Sequence, residues 1–185
     1  MERGVKLLVW GLLFVLIDIR IVTLDLVHDG IGYILLYKGL NELPYSKWVS
    51  YAKGAAVILG LLSITEIFGF TTINLNETGQ DVTWYVIIGG IVSILSLFFH
   101  MNLLSALQET VQDEDELQGS VSGFKTFYLI FNLILIMALP LILIFNDIVS
   151  VFLFAALIVG MIVEIVYIVK VNSFKRIVPP QDHAS

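Results

Sequence analysis

The sequence predicts an all-α integral membrane protein: a bundle of four long transmembrane helices preceded by an N-terminal pair of short ones. Three observations carry this reading. Of 185 residues, 58% are hydrophobic and only 14% are charged, whereas soluble domains hold about a quarter charged and at most about half apolar residues. Four apolar stretches each reach the roughly 20 residues that a helix needs to cross about 30 Å of hydrocarbon. The lysines and arginines collect between alternate stretches, as the positive-inside rule requires. The same composition excludes a disordered chain or a collagen, and the lack of cysteine excludes a disulfide scaffold or zinc ribbon.

The whole chain, 1–185, reads as one transmembrane helical domain. Residues 1–43 form an N-terminal helical hairpin. Arg3 and Lys6 precede an apolar run from Leu7 to Ile17, broken by Asp18-Ile19-Arg20. A basic start and an apolar core resemble a signal peptide, but bulky and charged residues stand where a small-x-small cleavage site belongs. The run is therefore read as an uncleaved first segment. Gly30 to Leu43 is apolar but short, about 21 Å of helix, with Lys38 inside it. It is either a short crossing with Lys38 snorkelling or half of a re-entrant hairpin, which makes five or six membrane segments in all.

The long helices follow as two pairs. Val49 to Phe70 and Thr83 to Leu104 form the pair at 49–104, and 105–123 is an acidic cytoplasmic loop. Phe124 to Phe145 and Ile148 to Val169, separated only by Asn146-Asp147, form a tight hairpin at 124–171. Pro140 predicts a kink in its first helix, because proline lacks the N–H donor and clashes with the preceding turn. Residues 172–185 are a cytoplasmic tail.

Counting basic residues orients the chain. With the C-terminus in the cytoplasm, Lys38, Lys47, Lys53, Lys125, Lys170, Lys175 and Arg176 all lie inside. The outer connections, Thr71 to Val82 and Asn146-Asp147, contain neither lysine nor arginine. If the first two segments form a hairpin, nine basic residues lie inside and only Arg20 outside; if the first crosses alone, the split is eight to two. The hairpin is preferred because it gathers Asp18, Arg20, Asp25, His28 and Asp29 at one water-facing connection.

Residues Trp10 to Leu43 (WGLLFVLIDIRI…LDLVHDGIGYILLYKGLNEL) carry a resemblance. An apolar helix ending in Asp18, an aspartate turn at Asp25 and Asp29, then Gly32-Tyr33 and Gly39-Leu40, is similar to the opening of a group of uncharacterised small multi-pass membrane proteins of Gram-positive bacteria. Many of those have Leu-Pro where this chain has Val27-His28. The resemblance covers about a fifth of the chain. It implies a bacterial plasma membrane and an N-terminal hairpin, and no activity.

Ionisable groups at membrane depth cost about 2.5–3.5 kcal/mol on insertion scales, so each asks for an account. Gly89, Ser93, Ser96 and His100 share one face of the third apolar segment from the C-terminus, and Ala156, Gly160 and Glu164 share one face of the last. Ala52, Ala56, Ser63 and Glu66 form a comparable stripe in the first long helix. Small residues let membrane helices approach closely, so these stripes are expected to face neighbouring helices. His100, Asn132 and Glu164 fall at similar depth near the inner side, and Glu66 near the outer end. They read either as a proton-relay or ion site, since histidine titrates near neutral pH, or as interhelical hydrogen bonds that fix the packing.

In the N-terminal turn, Asp29 is placed to cap a helix; the cluster with Asp18, Arg20, Asp25 and His28 matches no metal motif, and no metal is assigned. The acids are local: Glu109, Asp113, Glu114, Asp115 and Glu116 fall in one stretch, and without them ten basic residues face eleven acidic ones. That stretch has Gln118 where an EF-hand loop wants glycine. It reads as a solvated extension of the preceding helix ending in a flexible Gly119–Gly123 turn, or as a docking site for a basic partner. Asn76-Glu77-Thr78 matches the glycosylation sequon, which has no meaning in a bacterium.

No P-loop, HExxH, nucleophile elbow or Rossmann glycine pattern is present, so the chain is read as non-enzymatic, with no cofactor. Its first functional reading is a plasma-membrane protein acting through protein partners: an accessory, immunity-type or sensor subunit. The alternative is a small transporter or a proton or cation pathway using His100, Asn132 and Glu164. The expected partners are the lipid bilayer and either another membrane protein or further copies of the chain. Basic patches for nucleic acid are absent.

Overall fold

The computed structural model describes residues 1–16, 20–21, 24–25, 29–67, 80–110, 115–138, 140 and 146–176. The fold is all-α. The described helices are α1 (Glu2–Leu16), α2 (Asp29–Asn41), α3 (Lys47–Ile67), α4 (Gln80–Glu109), α5 (Asp115–Ala138) and α6 (Asn146–Ser173), followed by a 3-10 turn at Phe174–Arg176. Between α1 and α2, Arg20 pairs with Asp25 and Ile21 with Leu24 in a two-residue antiparallel bridge.

Two described stretches, Val86–Glu109 in α4 and Gln118–Ala138 in α5, are long and apolar enough to cross a membrane. A soluble protein's core helix meets the same test, but it hides its apolar side chains. Here Ile91 and Ile94 of α4 and Ile134 and Met137 of α5 are exposed. Contiguous apolar surface of this kind marks a face meant for lipid or for another protein.

One boundary corrects a sequence expectation. The described α5 reaches Ala138, two residues before Pro140; the expected continuation to Phe145 and its kink lie outside the described residues. At its other end α5 begins at Asp115 and includes Gly119 to Gly123, which were expected as a flexible turn. Asp115 and Glu116 therefore occupy a helical first turn, where acidic residues complement the macrodipole. Val121 within this stretch is buried, and that burial offsets the helix penalty of about 1 kcal/mol per glycine.

Helices α1 and α2 pack as an antiparallel pair through glycine. A Cβ built on Gly11 would lie 2.7 Å from the Leu36 Cγ and 2.8 Å from the Gly32 carbonyl oxygen. One on Gly39 would lie 2.8 Å from the Gly4 carbonyl oxygen and 2.8 Å from the Leu8 Cγ. Gly4 and Gly11 are seven residues apart, as are Gly32 and Gly39, so both pairs return to one helical face after two turns. At these two crossings the backbones touch where any side chain would hold them apart.

The remaining helices follow in sequence order, α2 on α3, α3 on α4 and α4 on α5, and α6 with its 3-10 turn closes against α1. Among the described residues, Val5, Leu8, Leu36, Leu40, Val49, Leu103, Leu107 and Phe174 are buried toward one end of the bundle. That end also carries the basic residues. The Lys125 Nζ lies 6.0 Å from the Trp48 ring, on whose face Lys47 also sits at 4.7 Å. The Lys170 Nζ donates to the Ser120 hydroxyl at 2.5 Å. Lys6 pairs with Glu2 at 2.8 Å, and Lys6 with Lys175 holds the exposed Glu2 carboxyl below the usual carboxylate range. Arg20 follows α1, whose 15 residues rise about 22 Å, so it lies at the opposite end.

Candidate functional site

Three helices converge on one polar and aromatic centre. Helix α4 contributes Ser96, Phe99 and His100, α5 contributes Phe124, Tyr128 and Asn132, and α6 contributes Glu164 and Tyr167. Steps of three and four residues put each set on a single face.

His100 is buried at 7% exposure, and its surroundings fix its hydrogen-bonding pattern. The Nδ1 atom lies 2.8 Å from the Ser96 carbonyl oxygen, with the Ser96 hydroxyl at 3.3 Å. A carbonyl only accepts, so Nδ1 carries the hydrogen and donates it. The other ring nitrogen, Nε2, then faces the Glu164 Oε2 at 3.9 Å. The second carboxyl oxygen, Oε1, accepts a hydrogen bond from the Tyr128 hydroxyl at 2.6 Å, within the short range of bonds to an ionised acceptor. With Nδ1–H already engaged, Nε2 is the ring nitrogen left to face the carboxyl Oε2. At 3.9 Å the two atoms are in ion-pair reach but beyond a direct hydrogen bond. Rotation of the carboxyl, which is 29% exposed, or a bridging water closes that gap.

Aromatic rings wall the pair in. Tyr167 meets His100 edge to face with centroids 4.7 Å apart, Phe99 does so at 5.2 Å, and Tyr128 lies 5.6 Å away. Tyr128 and Tyr167 touch each other at 5.0 Å, and Phe124 closes the side toward the basic end at 6.0 Å from Tyr128. The Tyr167 hydroxyl, itself fully buried, donates to the His100 carbonyl oxygen at 3.0 Å. Each ring gains about 0.5–1.5 kcal/mol from such geometry beyond its area burial. Together they bury the imidazole to 7% exposure.

Of the residues singled out from sequence, His100 and Glu164 are brought together. Asn132 joins indirectly, its amide donating to the Tyr128 carbonyl oxygen at 2.9 Å, one turn further along α5. The expectation that every small-residue stripe faces a neighbouring helix holds for Ala52, Ala56 and Ser63 in α3, which are buried. At Gly89 and Gly160 no described atom lies within 4 Å of a would-be Cβ. The side chain of Ser63 bonds within its own helix, to the Gly60 carbonyl oxygen at 2.8 Å.

Asp29, expected as a cap, is the first residue of α2. Arg20 and Asp25 are opposite one another in the short backbone bridge. Asp18, His28, Asp113 and Glu114 lie outside the described residues, as do the side chains of Glu66, Asp115 and Glu116. Among the described residues, no three histidine or acidic side chains converge on a metal-sized site.

Tyr128 and Tyr167 escaped the sequence reading. Their signal was spacing: Tyr128 is four residues before Asn132 and Tyr167 three after Glu164, each on the same helical face. Tyrosines near the ends of apolar segments read equally well as interfacial belt residues. A further polar layer lies toward the basic end, where the Lys125 Nζ donates to the buried Ser105 hydroxyl at 2.6 Å, and Ser105 donates to the Met101 carbonyl oxygen at 2.7 Å. No protein-family model, curated protein or solved structure matches the chain.

Proposed function

We propose that the chain is a non-enzymatic, multi-pass protein of the bacterial plasma membrane whose His100–Glu164 pair binds and releases a proton within a small proton or cation pathway. The observation that supports this most is the arrangement of the pair itself. One imidazole nitrogen is engaged by a carbonyl, one carboxyl oxygen by a tyrosine, and the remaining nitrogen faces the remaining oxygen. A packing contact alone needs no titratable partner for histidine, and an ionisable residue within a membrane span is by default a functional-site candidate.

Topology supports a route. By the positive-inside rule the lysine-rich end is cytoplasmic. Polar groups then descend from it in steps: Lys170 with Ser120, Lys125 with Ser105, the His100–Glu164 pair, and Asn132 beyond. In this topology α3 to α6 cross the bilayer, while α1 and α2, at 15 and 13 residues, are too short to cross about 30 Å without thinning it.

Proton uptake into proteoliposomes under an imposed potential tests the reading. Wild-type protein is expected to carry protons, and Glu164→Gln and His100→Ala are each expected to reduce flux at least about tenfold, as loss of a relay member does. Both variants must elute as folded protein in detergent. Flux that survives either substitution, or wild-type vesicles that carry neither protons nor common cations, removes the proposal. Action through a partner is the second reading, favoured by the open glycine faces at Gly89 and Gly160, where a partner helix or a second copy can approach closely.

A further inference from the structure

Away from the polar centre, α2 and α3 diverge enough to leave an apolar groove of about 580 Å³ along the outside of the bundle. Its walls are one face of α2, from Gly30 through Ile34 and Tyr37 to Asn41, and the small-residue face of α3 at Ala56 and Gly60. From Gly30 to Asn41 the groove runs along about 17 Å of helix. That is close to one leaflet, half of the roughly 30 Å of hydrocarbon.

The charged groups gather at one end of it. Lys38 and Asn41 line the groove near the C-terminus of α2. The register between α2 and α3 is set by Gly60, whose Cβ would meet the Tyr33 Cβ at 3.2 Å. In an antiparallel pair, Lys53, seven residues before Gly60, is then level with Leu40, seven after Tyr33. Lys53 also shares the helical face of Val57 and Leu61, which line the groove. Lys38 and Asn41 therefore line this mouth, and the helix register brings Lys53 level with it. The nearest acid, Glu42, is turned away: its Cβ lies 2.8 Å from where a Gly4 Cβ would be, on the α1 side.

We infer that this groove holds one anionic phospholipid of the inner leaflet. An acyl chain lies along Ile34 and Gly60, and the phosphate sits between Lys38 and Lys53 with the Asn41 amide as a further donor. The inference rests on the membrane topology proposed above. A neutral helix from another protein would fill the apolar length but leave two lysines at its end without counter-charge, whereas an anionic headgroup with one chain satisfies both. Basic residues at the cytoplasmic membrane surface attract anionic lipid.

Native mass spectrometry of the purified full-length protein in nonionic detergent, titrated with phosphatidylglycerol or phosphatidylcholine, tests this. Wild-type protein is expected to retain a single phosphatidylglycerol at about tenfold lower concentration than phosphatidylcholine. The double variant Lys38→Gln/Lys53→Gln, which changes no buried contact, is expected to lose that preference. Gly60→Leu, which fills the groove, is expected to lose the retained lipid. Equal retention of the two lipids, or a preference that survives the double variant, overturns the inference. So does a lipid-free dimer that Gly60→Leu dissociates, since the occupant is then a second copy. Alkaline extraction of membranes reports on the underlying topology separately. Protein released by alkali removes both readings, while protein that stays in the membrane without a phosphatidylglycerol preference removes only this one.

Discussion

The α1–α2 pair and the α4–α5–α6 centre solve the same packing problem in opposite ways. At α1–α2 the helices meet where side chains are missing: Gly11 against Gly32 and Gly4 against Gly39 bring backbone to backbone. At the centre they meet through rings, with His100, Tyr128 and Tyr167 filling the space between three helices. Close backbone contact maximises dispersion and leaves no volume for a titratable group. Ring-filled contact keeps the helices further apart, and that separation admits a histidine and a glutamate. One region is suited to rigidity, the other to chemistry.

The comparison is broken most directly at Gly11. Gly11→Ala places a methyl 2.8 Å from a carbonyl oxygen and 2.9 Å from the Leu36 amide nitrogen. Neither backbone atom can yield without moving α2, so the loss is expected at the upper end of overpacking costs, about 3 kcal/mol. Reversible unfolding in mixed micelles measures it. A cost below about 0.5 kcal/mol would mean that the two backbones are not in contact at this crossing.

Tyr128→Phe is expected to have an intermediate effect. It removes the hydroxyl that donates to Glu164 at 2.6 Å while keeping the ring contacts. The expected loss is about 1 kcal/mol, because hydrogen bonds in membrane helices average less than that and the acceptor here is charged or shares a proton. The same unfolding assay reads it. A loss larger than that of Gly11→Ala would invert the comparison and make the polar centre the main structural lock.

Gly160→Ala sharpens the contrast from the other side. This glycine has no described atom within 4 Å of a would-be Cβ, so the methyl meets no obstacle. Stability is expected to stay within about 0.5 kcal/mol or to rise, since alanine is the better helix former. If Gly160→Ala instead lowers stability or dissociates an oligomer, its open face is an interface with a second copy.

The presence and order of the helices were legible in the residues. Lys47 and Ile67 bound an apolar run that contains no proline, as expected, whereas the start of α5 was not. The Gly119–Gly123 segment misled because its glycines and serines carry turn propensity, and only the burial of Val121 within the fold overrides it. The site was half legible. His100 and Glu164 stand out because charge in an apolar run is costly. Tyr128 does not, because a tyrosine is unremarkable in an apolar helix until a carboxylate is found 2.6 Å from its hydroxyl.

The sequence by itself determined five or six helical segments, their small-residue faces and the gathering of basic residues at their alternate ends. Those properties are local: they follow from hydropathy and a period of 3.6 residues. Tertiary structure alone decided which faces meet. Gly11 finds Gly32, and His100 finds Glu164 and two tyrosines, because interhelical register depends on the volume of side chains far apart in the chain.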